Sequence, residues 1–205
     1  MKYDAIIVAS GKGLRANLGY NKILYKLKNG RTVIEESCHL FVDDKDCNSI
    51  IIVTEEKLPF INEKVKITNG GKERSDSVMN GLELVTSEYV LIHDGARPFL
   101  NLEDLNRVKE AVYEYGAALL AKKAVDTIKY EEDGFVKETI DRKYIWQAQT
   151  PQGFKTSLIK EAYRNIKDNV TDDASVVEMY GHKVKLVEGN TSNIKLTTHE
   201  DFNNI

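Results

Sequence analysis

Cysteine is nearly absent from this chain: Cys38 and Cys47 are the two present in 205 residues. Two thiols make no disulfide framework and lack metal-site spacing, so they read as reduced cytosolic cysteines, with Cys38 packed in a helix. No stretch of 18 apolar residues occurs, and the N-terminus lacks a charged-then-apolar signal segment, which points to a cytoplasmic protein with no membrane partner. A net positive field is missing as well. The formal charge is −3, which argues against nucleic acid and means that any polyanion must be held by a local cluster of cations. Internal repeats, low-complexity tracts and linkers are also lacking, so the expectation is a single domain over 1–205.

What is present is an alternation. Short apolar runs at 4–9, 49–54, 65–68, 89–92 and 117–121 are separated by helix-like segments at 32–43, 73–85 and 102–115. Thr32 and Glu35 stand at capping-box spacing, and Asn29-Gly30 supplies a turn just before them. Strands apolar throughout and separated by helices predict a Rossmann-like, doubly wound α/β fold with a mostly parallel sheet. Residues 125–149 break the rhythm, alternating β-formers with polar residues around "EEDG", which predicts an inserted β-hairpin arm of the kind that packs on a second subunit. Helices near 156–167 and 172–180 and a strand at 183–187 follow.

The first strand delivers "ASGKGLRANLGYNK", a glycine-rich loop with cations beside it. The P-loop spacing fails, because Gly11 has no partner glycine followed by lysine and serine or threonine. The dinucleotide fingerprint is met only in its variant form, with Ala16 in the third glycine position and Glu55 or Glu56 as ribose partner. A loop wrapping a nucleoside triphosphate uses Arg15 and Lys22 directly, the cations neutralising phosphates. A plain strand-to-helix turn with two solvated cations is the bland alternative.

Two further loops bear on the choice. "GGKERSDSVMNGL" at 70–82 places a Gly-Gly turn before a helix with Arg74 and Ser77 in its first turns, where free N–H groups suit phosphate, ribose or base carbonyls. "VLIHDGARPF" at 90–99 ends a strand in Asp94, Gly95, Ala96 and Arg97. Ligands of open α/β sheets bind beyond the carboxyl ends of the strands. Asp94 is there the natural handle for magnesium, or alternatively a cap of the next turn. His93 should point to the opposite strand face and pack. Asp172 and Asp173 could hold a metal, but Thr171 or Asp172 as a helix N-cap is the preferred reading. Trp146 and the scattered tyrosines read as core or interface.

Seven segments, "ASGKGLR…NK", "GGKERSDSVMNGL", "HDGARPF", "DTIK", "DR…TPQGF", "TDDASVVE" and "NIKLTT", stand in the order found in 2-C-methyl-D-erythritol 4-phosphate cytidylyltransferases, and the chain resembles that family from Ala5 to Asp201. The resemblance implies a cytidylyltransferase that joins CTP to 2-C-methyl-D-erythritol 4-phosphate, releasing pyrophosphate, in the MEP pathway of isoprenoid precursor biosynthesis. It implies that Ala9, Ser10, Gly11 and Gly13 wrap the CTP triphosphate with Arg15 and Lys22. Gly71 and Ser77 would recognise cytosine and ribose, and Asp94 with Gly95 would lie by Mg2+ and ribose. Arg97 would contact the acceptor phosphate and Lys195 both substrates. The 125–149 hairpin resembles the family's homodimerisation arm, and Thr127 and Arg142 would reach the acceptor in the partner subunit. Three departures stand out: Asn21-Lys22-Ile23 replaces Pro-Lys-Gln, Ser10 replaces alanine, and Gly95 replaces alanine.

The attacking group would be a phosphate monoester oxygen, largely ionised at neutral pH, so no general base is needed. Ribitol-5-phosphate cytidylyltransferase shares most of these loops but is less similar at "TDDASVVE". A non-catalytic nucleotide-binding dimer and an NAD-binding domain are the more distant alternatives.

Overall fold

A computed structural model of the chain describes residues 1–58, 62–166, 170–203 and 205. Strand β1 (Tyr3–Val8) is followed by α1 (Val33–Asp43), β2 (Cys47–Val53), β3 (Val65–Thr68), α2 (Arg74–Glu83), β4 (Tyr89–Asp94), α3 (Leu102–Tyr115) and β5 (Ala117–Lys123). A hairpin of β6 (Ile128–Glu132) and β7 (Phe135–Ile140) leads to β8 (Trp146–Lys155), α4 (Thr156–Asn165), α5 (Asp173–Met179), β9 (Lys185–Glu188) and α6 (His199–Asn203). The expected end of the fourth helix at position 167 lies outside the described residues.

The main sheet has the order β3-β2-β1-β4-β8-β5-β9. Strands β3, β2, β1 and β4 are mutually parallel, as are β5 and β9, while β8 runs antiparallel to both of its neighbours. Alternate residues of one strand feed opposite faces. Ile7, Ile50, Ile52 and Leu91 pack under α1 and α3, while Ile6, Ile51, Val53, Val90 and Ile92 pack under α2, α4 and α5. Burial on both sides is why these strands are unbroken apolar runs. Thr32 caps α1 and Glu35 returns the bond to the Thr32 N–H at 2.7 Å, completing the capping box. Cys38 and Cys47 are free and buried, and burial pushes the Cys47 thiol up to about 12.

Strand β8 is the element the sequence did not announce. Gln147, Gln149, Gln152 and Pro151 argue against a central strand. Pro151 is accommodated because pairing with β5 is irregular between Leu119 and Ala121, and the run resumes at Ala121 opposite Ala148. The arm is correspondingly shorter than 125–149: residues from Trp146 on belong to the main sheet. The hairpin proper turns at Asp133 and Gly134, both with positive φ (54° and 83°), the backbone of a two-residue turn.

A smaller cluster of Ala16, Leu27, Val33, Leu196 and Phe202 joins the glycine-rich loop to the C-terminal segment. Leu196 is tied in by its N–H to the Ala96 carbonyl at 2.8 Å.

Candidate active site

The carboxyl ends of β1 and β4, the turn before α2 and the segment after β9 converge on a cavity of about 490 Å³. Its wall includes Ala9, Ser10, Gly11, Gly13, Arg15 and Lys22 from the first loop. Gly71 and Ser77 come from the second, with Asp94 and Lys195 beside them. A smaller cavity of about 230 Å³ lies beyond Asp94 and includes Arg97, Thr150 and Gln152. Arg74, Asp94 and Lys195 line both cavities.

The first loop takes its shape from backbone chemistry. Gly13 has φ +66°, and a Cβ there would meet Lys22 Cγ at 3.1 Å, so glycine lets the lysine stem pass. Asn21, in the place of the family's proline, fixes the lysine differently. Its side-chain oxygen accepts from the Ile23 N–H at 3.3 Å, while its amide donates to the Gly11 carbonyl at 3.2 Å and to Glu56 Oε1 at 3.0 Å. Lys22 Nζ then donates to the Leu196 carbonyl at 2.6 Å. Burial, with Lys195 and Arg15 close by, pulls the Lys22 ammonium below its ordinary range. A half-buried cation pressed against two others is a site prepared for an anion.

The second loop is fastened to the first through hydroxyls. Gly71 donates its N–H to Ser77 Oγ at 3.0 Å, and Ser77 in turn donates to the Glu73 carbonyl at 3.2 Å. With that hydrogen in use, the 2.9 Å contact between Ser10 and Ser77 has Ser10 as the donor. The hydroxyl at position 10 therefore bridges two loops.

Asp94 is the hub. Its Oδ2 accepts from Lys195 Nζ at 2.9 Å and from Arg97 Nε at 3.3 Å, while Oδ1 faces Arg74 Nη2 at 3.7 Å. Burial alone would raise the carboxyl, but Lys195, Arg74 and Arg97 together hold it well below the usual carboxylate range, so it is ionised. Arg97 is fixed by a second bond, Nη1 to the Asn193 carbonyl at 2.8 Å. The Asp94 N–H donates to Thr150 Oγ1 at 3.0 Å, and Thr150 lies 2.9 Å from His93 Nδ1. His93 Nε2 faces the Arg97 carbonyl at 3.0 Å, which can only accept, so Nε2 carries the hydrogen and Nδ1 accepts from Thr150. Burial pulls this imidazole down to about 4. His93 is thus a neutral strut across the Asp94–Arg97 turn, packed against Phe41 as its strand position predicts.

Not every predicted residue reaches a cavity. Gly95 lies buried beneath the floor, where a Cβ would meet Ala9 Cβ at 2.9 Å, and Ala96 lines the larger cavity instead. Thr127 and Arg142 are exposed on or beside the arm, and Arg142 is tied to the Val125 carbonyl. Asp172 accepts from the Ser175 N–H at 3.0 Å, the N-cap role expected for it. No role was expected from the sequence for Lys12, Glu73 and Thr197, which line the larger cavity, or for Thr150 and Gln152, which line the smaller; Asp172, expected as a cap, lines the smaller as well. Arg74 stood out as a residue of the second loop but not as a neighbour of Asp94. Among the described residues, no cluster of three or more His, Cys, Asp or Glu is arranged to hold a metal ion.

Comparison with known proteins bears on this geometry. The family model described as 2-C-methyl-D-erythritol 4-phosphate cytidylyltransferase matches residues 3–204. A protein of that name from Geobacillus thermodenitrificans is 44% identical, over 98% of this chain and 94% of its own length. Another from Bacillus anthracis is 43% identical with the same coverage. Among solved structures, the enzyme of that name from Francisella tularensis superimposes with a TM-score of 0.86 at 30% identity, covering 100% of this chain and 98% of its own. That from Thermus thermophilus does so with 0.83 at 31% identity, covering 98% and 95%.

Proposed function

This chain belongs to the 2-C-methyl-D-erythritol 4-phosphate cytidylyltransferase family, and from that premise we propose that it transfers the cytidylyl group of CTP to 2-C-methyl-D-erythritol 4-phosphate. Pyrophosphate is released, and the product enters isoprenoid precursor biosynthesis by the MEP pathway. The observation that carries this reading is the convergence of Lys22, Arg15 and Lys195 with the ionised Asp94 on one cavity.

An acceptor phosphate oxygen attacks the α-phosphorus in line with the departing pyrophosphate. The monoester is largely dianionic at neutral pH and supplies its own nucleophile. His93, neutral and engaged at both nitrogens, has no proton to take or give. The protein's task is to bring two polyanions together and hold them. We assign Arg15 and Lys22 to the charge that builds on the α-phosphorus and pyrophosphate, and Arg97 and Lys195 to the acceptor phosphate. Ala9, Ser10, Gly11 and Gly13 form the triphosphate cradle, with Gly95 as the support under Ala9, and Gly71 and Ser77 form the base-side wall.

Asp94, an ionised carboxylate lining the larger cavity, would hold a magnesium ion, and the ion would supply neutralisation of phosphate charge there.

The chain acts as one nucleotidyltransferase domain over 1–205 and as a homodimer through the arm that ends before Trp146. Val125, Phe135 and Val136 are exposed at 73%, 78% and 64%, apolar surface that a second subunit would cover. Thr127 and Arg142 of the partner subunit then complete each acceptor site. Among the described residues no helix is long and apolar enough to cross a membrane, in keeping with a cytoplasmic enzyme.

The test is pyrophosphate release from CTP and magnesium with methylerythritol 4-phosphate or ribitol 5-phosphate as acceptor. Release with the first alone is expected. Release with the second alone would reassign the acceptor, and CTP binding without release from either would leave a binding-only dimer.

A further inference from the structure

Asp173 is a fully buried carboxylate that touches the site from outside its walls. It opens α5, 99 positions after Arg74, and both of its oxygens hold that guanidinium: Nη1 to Oδ1 at 3.1 Å and Nη2 to Oδ2 at 2.7 Å. Tyr163 of α4 donates its hydroxyl to Oδ1 at 2.6 Å. The next residue is anchored too, since the Ala174 N–H donates to Gln152 Oε1 at 2.8 Å on β8. The carboxylate is therefore placed from α4 and β8 at once, and it fixes Arg74 in a two-bond fork.

The other neighbour of Arg74 is Asp94. Nη2 stops 3.7 Å from Oδ1, beyond hydrogen-bonding reach, whereas Oδ2 carries the Lys195 and Arg97 bonds. Arg74 is thus close enough to favour the Asp94 charge and too far to occupy the oxygen. Without the fork, a guanidinium that has lost its buried partner would close on the nearest carboxylate.

We propose that Asp173 is a positioning residue that acts through Arg74: by holding the guanidinium back, it keeps Asp94 Oδ1 open for a ligand in the CTP cavity. This inference rests on the reading of that cavity as the CTP site. It gives "TDDASVVE" a role beyond the helix cap, with Asp172 capping α5 and Asp173 restraining Arg74.

The experiment compares wild type, Asp173→Asn, Arg74→Gln and the double variant by calorimetric CTP binding, pyrophosphate release and thermal melting. Asp173→Asn is expected to weaken CTP binding by about tenfold, the scale of one hydrogen bond to a charged group. The double variant is expected to bind CTP better than Asp173→Asn and as well as Arg74→Gln, since Asp173 has nothing left to restrain. A merely structural Asp173 would instead make the two losses multiply, and that result overturns the inference. If Asp173→Asn alone does not fold, the comparison of the double variant with Arg74→Gln decides in the same way, and a double variant that also fails to fold overturns it. Wild-type protein that binds CTP but releases no pyrophosphate would refute the transferase reading while leaving this binding comparison to stand or fall by itself.

Discussion

Replacing Asp4 by asparagine removes one charge and one acceptor from a buried site far from the cavity. Asp4 is the second residue of β1, opposite Ser49 of β2 and Val90 of β4, at the end of the strand away from the glycine-rich loop. Its Oδ1 accepts from the Ser49 N–H at 3.1 Å and from the Ser49 and Ser87 hydroxyls at 2.8 and 3.0 Å. Oδ2 accepts from the Thr86 and Ser87 N–H groups at 2.8 and 2.9 Å. An asparagine keeps its oxygen on the side of the two N–H groups and turns its amide toward the hydroxyls, which can rotate to accept. The Ser49 N–H then faces another donor and is left unpaired. That costs about 1–3 kcal/mol, and the two surviving bonds lose their charge assistance, about 0.5–1 kcal/mol each. The expected loss is about 3 kcal/mol, or roughly 6–12 °C in melting temperature for a chain of this size. Burial works to raise the Asp4 carboxyl, but the Ser87, Thr86 and Ser49 bonds bring it below its ordinary value. Its stabilisation is therefore complete above the unfolded carboxyl's pKa and is lost as pH falls through the lower folded value. Urea unfolding of Asp4→Asn should accordingly show a shallower acid decline than wild type, with pyrophosphate release at 25 °C unchanged. A loss under about 1 kcal/mol, or an equally steep acid decline, would refute this account of the bonds.

Lys22→Ala should lower turnover by about 10²–10³ with little change in melting temperature, since it removes a contact to developing charge. Single-turnover pyrophosphate release checks it, and near-normal turnover rejects the assigned role. Asn21→Ala removes the bonds to Gly11 and Glu56 and should weaken CTP binding by about three- to tenfold with the fold intact, read by calorimetry. If the arm completes the partner's site, refolding an equal mixture of Lys22→Ala and Arg142→Ala proteins should restore about a quarter of wild-type activity, because half the dimers are mixed and each mixed dimer has one intact site. No restoration would mean that Arg142 serves its own chain.

Much of this architecture is legible in the chain because strands covered on both faces carry continuous apolar runs. β1, β2 and β4 carry such runs, and the segments after β1 and β4 supply much of the cavity wall, with the rest from the turn after β3 and the segment after β9. Strand β8 is illegible for the opposite reason. Its buried Gln149 and Gln152 donate to later segments, at the Asn190 carbonyl and at Asp172, so polarity there does not mean exposure. The Arg74–Asp173 fork is hidden by separation, since no local pattern links residues from two helices. Gly95 reads as a ligand contact because of its place in a motif, whereas its role in packing depends on Ala9, which approaches from a neighbouring strand end.

Strand β8 also joins two matters that are otherwise separate. The chain leaves the hairpin through the short turn at Arg142–Tyr144, enters β8 at Trp146, and four residues later presents Thr150, whose hydroxyl receives the Asp94 N–H. Between them the backbone pairs on β5 from Trp146 to Ala148, and Thr150 lies in the irregular stretch before pairing resumes at Gln152. The hairpin and the hydroxyl that seats the central carboxylate thus lie on one short continuous stretch of chain. If the arm is the subunit contact proposed above, assembly and chemistry meet on that stretch, and a surface substitution on the arm is expected to alter turnover without touching a substrate.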